Sequence, residues 1–145
     1  MRTGAPGPPG RGDAMRIMII DDHEISRAAF RALLRSQGAD VVADHRACAH
    51  ALAAASALRP EVVLVDVTPA ADTGLSIARK LRGLPTPPIV ILTSSADPAH
   101  FGAKINGYRF IAKADISSTV IASLASTREQ ARPNPGTPAK RSPPP

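Results

Sequence analysis

Short apolar runs recur along this chain, and each ends on a polar residue able to do chemistry. Ile17-Met18-Ile19-Ile20 leads into Asp21-Asp22, and Val62-Val63-Leu64-Val65 into Asp66. Ile89-Val90-Ile91-Leu92 leads into Thr93, and Phe110-Ile111-Ala112 into Lys113. The runs are too short for helices and rich in β-branched residues, and they are apolar at every position rather than every second one. That is the pattern of parallel strands buried on both faces. Helix-like stretches lie between them, so the alternation predicts βαβ units around a parallel sheet. The pattern places strands at 16–20, 40–43, 61–65, 88–92 and 108–112. Helices fall at 23–36, 46–58, 72–83, 98–105 and 115–127.

Local signals sharpen these bounds. Gly38 is placed to stop the first helix. Pro60 marks the entry to the third strand, and Pro85, Pro87 and Pro88 the entry to the fourth. Ile116, Val120 and Leu124 recur every four residues in the last helix, with Ile121 beside them, and Asp115 reads as its N-cap. Residues 1–14 and 128–145 are Pro/Gly-rich without hydrophobic period, so both read as disordered extensions flanking one domain at 15–127. Met15, just before the first strand, offers an alternative start.

Composition narrows the class. With 43% hydrophobic but only 3% aromatic residues, the core must be aliphatic. Cys48 is the single cysteine, so no intrachain disulfide forms and a reducing compartment fits. No apolar stretch approaches the roughly 18 residues of a membrane span, and the first fourteen residues lack the apolar segment of a signal peptide. The formal charge of +6 belongs mostly to the two ends, because residues 15–127 hold 12 Lys and Arg against 10 Asp and Glu. It reads as solubilising tails rather than a nucleic-acid surface.

In an open α/β sheet the carboxyl ends of the strands form the ligand crevice. Asp21, Asp22, Asp66, Thr93 and Lys113 should therefore meet there. Adjacent carboxylates repel, and a divalent cation relieves that cost. Magnesium takes carboxylates, waters and phosphate oxygens. The Asp66 carboxylate is suited to attack phosphorus, and phosphoryl transfer needs mainly alignment and charge neutralisation. Lys113 supplies a positive charge, and the Thr93 hydroxyl a hydrogen bond.

These residues resemble the receiver domain of two-component response regulators across about residues 15–127. The motifs are IIDDHE, LVDVTPAADTG, ILTSS and FIAKAD. The resemblance implies a (βα)5 flavodoxin-like three-layer sandwich with a parallel sheet in the order 2-1-3-4-5. It implies Asp66 as phosphoacceptor, and Asp21 and Asp22 as the pair that positions magnesium, with Asp22 the direct ligand. It further implies a backbone carbonyl ligand from Thr68, a switch hydroxyl on Thr93 and a phosphate or carboxylate partner in Lys113. Phe110 matches the signalling aromatic, and Gly74 the glycine that opens the third helix. The implied function is cytoplasmic phosphorelay signalling rather than small-molecule catalysis. A sensor histidine kinase or phosphotransfer protein would be the donor. Partner binding or homodimerisation through the fourth helix, fifth strand and fifth helix would be the output.

The chain departs from the family pattern in places. Pro69 follows the acceptor by three residues rather than four. Lys113 follows Thr93 by only 20 positions, and Gly102 and Gly107 weaken the fourth helix. Ala114, with Asp-Asp-His-Glu, points to the subfamily carrying a C-terminal helix-turn-helix domain. The Pro-rich residues after the last helix cannot build a recognition helix, so no direct nucleic-acid contact is expected. A phosphorylation-independent docking module and a shortened transcription regulator are the alternatives. Among the remaining residues, His23 reads as a helix-start residue rather than a metal ligand. His45, His50 and His100 read as exposed, and Cys48 as a buried small apolar residue. Ser95 and Thr68 would flank the approach of a hydrolytic water.

Overall fold

The computed structural model describes residues 14–127. The expectation of disorder for 128–145 and all but the last residue of 1–14 lies outside the described residues. Five strands form one parallel sheet: β1 (Arg16–Ile20), β2 (Asp40–His45), β3 (Val62–Asp66), β4 (Ile89–Ser94) and β5 (Arg109–Ala112), in the order β2-β1-β3-β4-β5. Four α-helices accompany them: α1 (Glu24–Ser36), α2 (Ala49–Leu58), α3 (Thr73–Arg82) and α4 (Ser118–Ala125). This is the flavodoxin-like architecture that the sequence implied.

The unbroken apolar runs follow from burial on both faces. Met18, Ile20, Val63, Val65, Val90 and Leu92 pack on one side with Ala51 and Ala55 of α2 and Leu75, Ala78 and Leu81 of α3. Ile17, Ile19, Val62, Leu64 and Ile91 pack on the other with Leu34 of α1 and Ile121 of α4. Alternate residues of one strand thus feed two cores. Burial of each such side chain is worth roughly 1.5–3 kcal/mol. No helix among the described residues is long and apolar enough to cross a membrane.

The end of α1 is built as expected. Gly38 has φ +92°, the left-handed conformation that costs glycine least. Its amide donates to the Arg35 carbonyl, and the Ala39 amide to that of Leu34, at 3.0 Å each. This paired closure is a Schellman motif.

Several boundaries differ from the sequence reading. β2 runs two residues further, to His45, because β1 offers it a partner to the end: the Asp21 amide donates to the His45 carbonyl at 2.9 Å. His45 is therefore half-buried rather than exposed. α2 begins at Ala49 rather than 46, with Cys48 at its N-cap, so the thiol is exposed and not a core residue. It lines an open cleft of about 440 Å³ between α2 and α3. The helix expected at 98–105 is a 3-10 segment, Pro98–Ile105, kinked at Gly102 where φ is +58°. α4 starts at Ser118 rather than 115. Its cap is Ser117, whose hydroxyl accepts from the Val120 amide at 3.1 Å, whereas Asp115 closes a 3-10 turn, Lys113–Asp115.

Candidate functional site

The parallel register brings the strand-end groups into one crevice. Asp21 follows the last residue of β1, Asp66 ends β3 directly opposite Thr93 of β4, and Lys113 follows β5. Lys113 Nζ lies 3.2 Å from Asp21 Oδ2 and 3.1 Å from Asp66 Oδ1. The Asp21 and Asp66 side chains are 2% and 7% exposed, so these are largely desolvated charges. Burial and the neighbouring Asp21 charge push the Asp66 carboxyl above the usual range, and Lys113 and His23 only partly offset this. Thr93 is buried, and its Oγ1 has no hydrogen-bond partner among the described residues. A buried hydroxyl without a partner is costly, and one beside an acid cluster is available to a ligand oxygen.

Gly74 lets α3 approach the end of β3. A Cβ there would interpenetrate the backbone carbonyl oxygen of Asp66 and lie 3.0 Å from Val67 Cγ1. The glycine serves close approach rather than an unusual backbone angle.

The remaining predicted residues fall in different places. Asp22 is exposed and stands outside the buried group, with Oδ1 accepting from the Ala47 amide at 2.7 Å. The Thr68 carbonyl faces the Ala71 amide at 3.5 Å across the turn after β3. Ser95 is exposed. Phe110 is half-buried and tilted against Phe101, with ring centroids 6.1 Å apart.

Three contributors were not read from the sequence as parts of this site. His23 is the N-cap residue of α1, as expected of a helix-start residue, but its ring also faces the acids. Its Nδ1 lies 3.2 Å from Asp21 Oδ1 and 3.7 Å from Asp66 Oδ2. Arg27 donates from Nη1 to the Asp21 carbonyl at 2.7 Å and from Nε to Asp44 Oδ1 at 3.0 Å. Arg31 donates to the other Asp44 oxygen at 2.9 Å. Burial would raise the Asp44 carboxyl, but Arg31 and Arg27 outweigh it and hold it below its usual value. The signal in sequence was the four-residue spacing of His23, Arg27 and Arg31, which stacks them on one face of α1.

Asp21, His23 and Asp66 each offer a ligand atom, and these atoms all lie within 4.8 Å of one another. The donor set fits a divalent cation. A buried acid pair bridged by a lysine, at the carboxyl edge of a parallel 2-1-3-4-5 sheet, marks a flavodoxin-like α/β domain carrying a charged site. The family model for the response regulator receiver domain matches residues 17–124, and the chain belongs to that family.

The chain is 27% identical over 119 residues to the DNA-binding transcriptional activator EvgA of Escherichia coli K12, covering 79% of this chain and 57% of that protein. It is 31% identical over 85 residues to the transcriptional regulatory protein LiaR of Bacillus subtilis, covering 57% and 40%. It thus spans about half the length of the curated relatives it matches. Among solved structures, the signal receiver domain of NarL from Mycobacterium tuberculosis superposes with a TM-score of 0.63 at 30% identity, covering 79% of this chain and 98% of that one. A LuxR-family two-component response regulator from Aurantimonas sp. SI85-9A1 shares the fold, with a TM-score of 0.67 at 23% identity and coverage of 79% and 87%.

Proposed function

We propose that this chain is a phosphorelay receiver whose Asp66 accepts a phosphoryl group from a sensor histidine kinase, a phosphotransfer protein or a small phosphodonor. The observation that carries the reading is the Lys113 ammonium set between Asp21 and Asp66 at 3.2 and 3.1 Å. A carboxylate oxygen of Asp66 attacks phosphorus, the bond from phosphorus to the donor breaks, and the donor leaves with that electron pair. Lys113 stays beside the acceptor and neutralises an equatorial phosphoryl oxygen. Thr93 Oγ1, which has no partner among the described residues, donates to another. Arg27 holds the Asp21 backbone in place through its bond to the Asp21 carbonyl. Asp21, Asp22 and Asp66, with the Thr68 carbonyl, would hold magnesium, which would supply charge neutralisation.

Drawing Thr93 towards the phosphoryl group shifts β4 against β5, where Thr93 pairs with Ile111 and the adjacent Phe110 meets Phe101 of the 3-10 segment. The surface formed by that segment, β5 and α4 is the output face, biased between two arrangements towards partner binding or homodimerisation. The setting is the bacterial cytoplasm, and the protein acts in signalling rather than on a small-molecule substrate.

Intact mass after incubation with a small phosphodonor and magnesium tests this. One phosphoryl adduct, absent without magnesium and absent in Asp66→Ala, is expected. No adduct with the small donor or with a panel of histidine kinases would favour the docking-module reading instead.

A further inference from the structure

The two buried carboxylates divide their oxygens between two cation positions. Asp21 Oδ2 and Asp66 Oδ1 face Lys113, at 3.2 and 3.1 Å. Asp21 Oδ1 and Asp66 Oδ2 face His23 Nδ1, at 3.2 and 3.7 Å. We propose that the His23 side is a divalent-cation position with two carboxylate oxygens and one imidazole nitrogen, which takes transition dications such as manganese or cobalt ahead of magnesium. The proposal rests on the reading of this crevice as a metal-dependent phosphoryl site, and names the metal class it selects.

Four observations support it. First, the donor atoms are already gathered within 4.8 Å of one another. An ion with bonds of about 2.1 Å spans donors up to about 4.2 Å apart, so only a small contraction is required. Relief of the Asp21–Asp66 repulsion favours that contraction. Second, the backbone that carries the ring is held by Asp21 itself. The His23 amide donates to Asp21 Oδ1 at 2.8 Å, and His23 is extended at the N-cap of α1, with φ −89° and ψ 108°.

Third, the position is reachable without displacing Lys113. The Asp21 side chain is 2% exposed, while that of His23 is 65% exposed, so an ion can enter past the imidazole and keep waters on its open side. Fourth, the acid expected to ligate first has one oxygen engaged elsewhere, with Asp22 Oδ1 accepting from the Ala47 amide at 2.7 Å. Magnesium favours an all-oxygen shell, whereas an imidazole nitrogen suits first-row transition ions, whose affinities rise along the divalent series.

The experiment uses the whole chain and manganese itself. Loss of the free manganese EPR signal gives affinity, magnesium competition gives the ratio, and electron spin-echo modulation reports a coordinated nitrogen. Manganese is expected to bind about tenfold or more tighter than magnesium and to show nitrogen-14 modulation. His23→Gln should abolish the modulation and weaken manganese about tenfold, with magnesium changed much less. Absence of nitrogen modulation in the wild-type manganese complex would overturn the proposal, as would an equal loss of both metals in His23→Gln. Wild-type phosphoryl adduct formation with magnesium separates the two readings. An adduct without nitrogen coordination sinks the metal preference alone. Absence of both the adduct and metal binding sinks the phosphoryl site and the preference together.

Discussion

Gly74 brings α3 against the backbone of Asp66, and replacing it with alanine should cost stability. A Cβ at this position overlaps the Asp66 carbonyl oxygen, and it lies 3.0 Å from Val67 Cγ1 and 3.4 Å from the Asp66 carbonyl carbon. The carbonyl cannot swing away cheaply. β3 is paired with β1 and β4, and the Val67 amide donates to the Thr93 carbonyl at 2.8 Å just beyond it. Either α3 lifts or the strand end bends. Overpacking of this kind costs about 1–3 kcal/mol, and the helix propensity gained on replacing glycine returns at most about 1 kcal/mol. The net expectation is destabilisation by about 1–2 kcal/mol, together with slower phosphorylation, because the displaced carbonyl belongs to the proposed acceptor, Asp66.

Gly83→Ala is the control at the other end of α3. Its Cβ would meet nothing nearer than 3.5 Å, and its φ of −89° suits any residue, so it should be neutral or stabilising by a few tenths of a kcal/mol. Urea unfolding followed by circular dichroism gives both values, provided the slope is unchanged. Equal midpoints for wild type, Gly74→Ala and Gly83→Ala would refute the close-approach argument.

Further outcomes follow from the charges and caps. Asp44 is held below its ordinary value of 3.8 by Arg31 and Arg27 despite burial. Its contribution is therefore full above that value and lost as pH falls through the lower folded one. Asp44→Asn should cost at most about 1 kcal/mol at neutral pH, since solvent screens the pair with Arg27 and Arg31, with the gap to wild type closing in unfolding curves taken well below pH 3.8.

Asp66 has the opposite sign: burial and Asp21 raise it, so the folded state holds its proton more tightly and loses stability as pH rises past 3.8. Asp66→Asn should accordingly raise neutral-pH stability, and equal stability at pH 7 would count against a strained acid pair. Ser117→Ala should cost about 1 kcal/mol through loss of the α4 cap, while Asp115→Ala stays within about 0.5 kcal/mol. Thermal melts that reverse this order would restore Asp115 as the cap.

The sequence by itself determined the number and type of strands. Runs such as Ile17–Ile20 and Val62–Val65 are apolar at every position, and only a strand covered on both faces removes all of that surface from water. It also determined that acids, a hydroxyl and a lysine would gather at one edge, because each closes a run and parallel strands bring equivalent ends together. Gly38 was legible because only the end of α1 there needs a left-handed residue.

What required tertiary structure was decided by partners distant in sequence. β2 extends over the polar Asp44 and His45 because β1 supplies a hydrogen-bonding edge. Cys48 is exposed because α2 begins only at Ala49, three residues later than expected, after Asp22 has taken the Ala47 amide. The segment Pro98–Ile105 winds as 3-10 turns around Gly102, although its composition permitted an α-helix. In the acidic pair, consecutive side chains diverge, so the same geometry that turns Asp21 and His23 inwards sends Asp22 out. Periodicity reveals that neighbours must part. Which of them faces Asp66 depends on where the sheet ends and α1 begins, and that is settled only when Arg27 and the His45 carbonyl fix the backbone of Asp21.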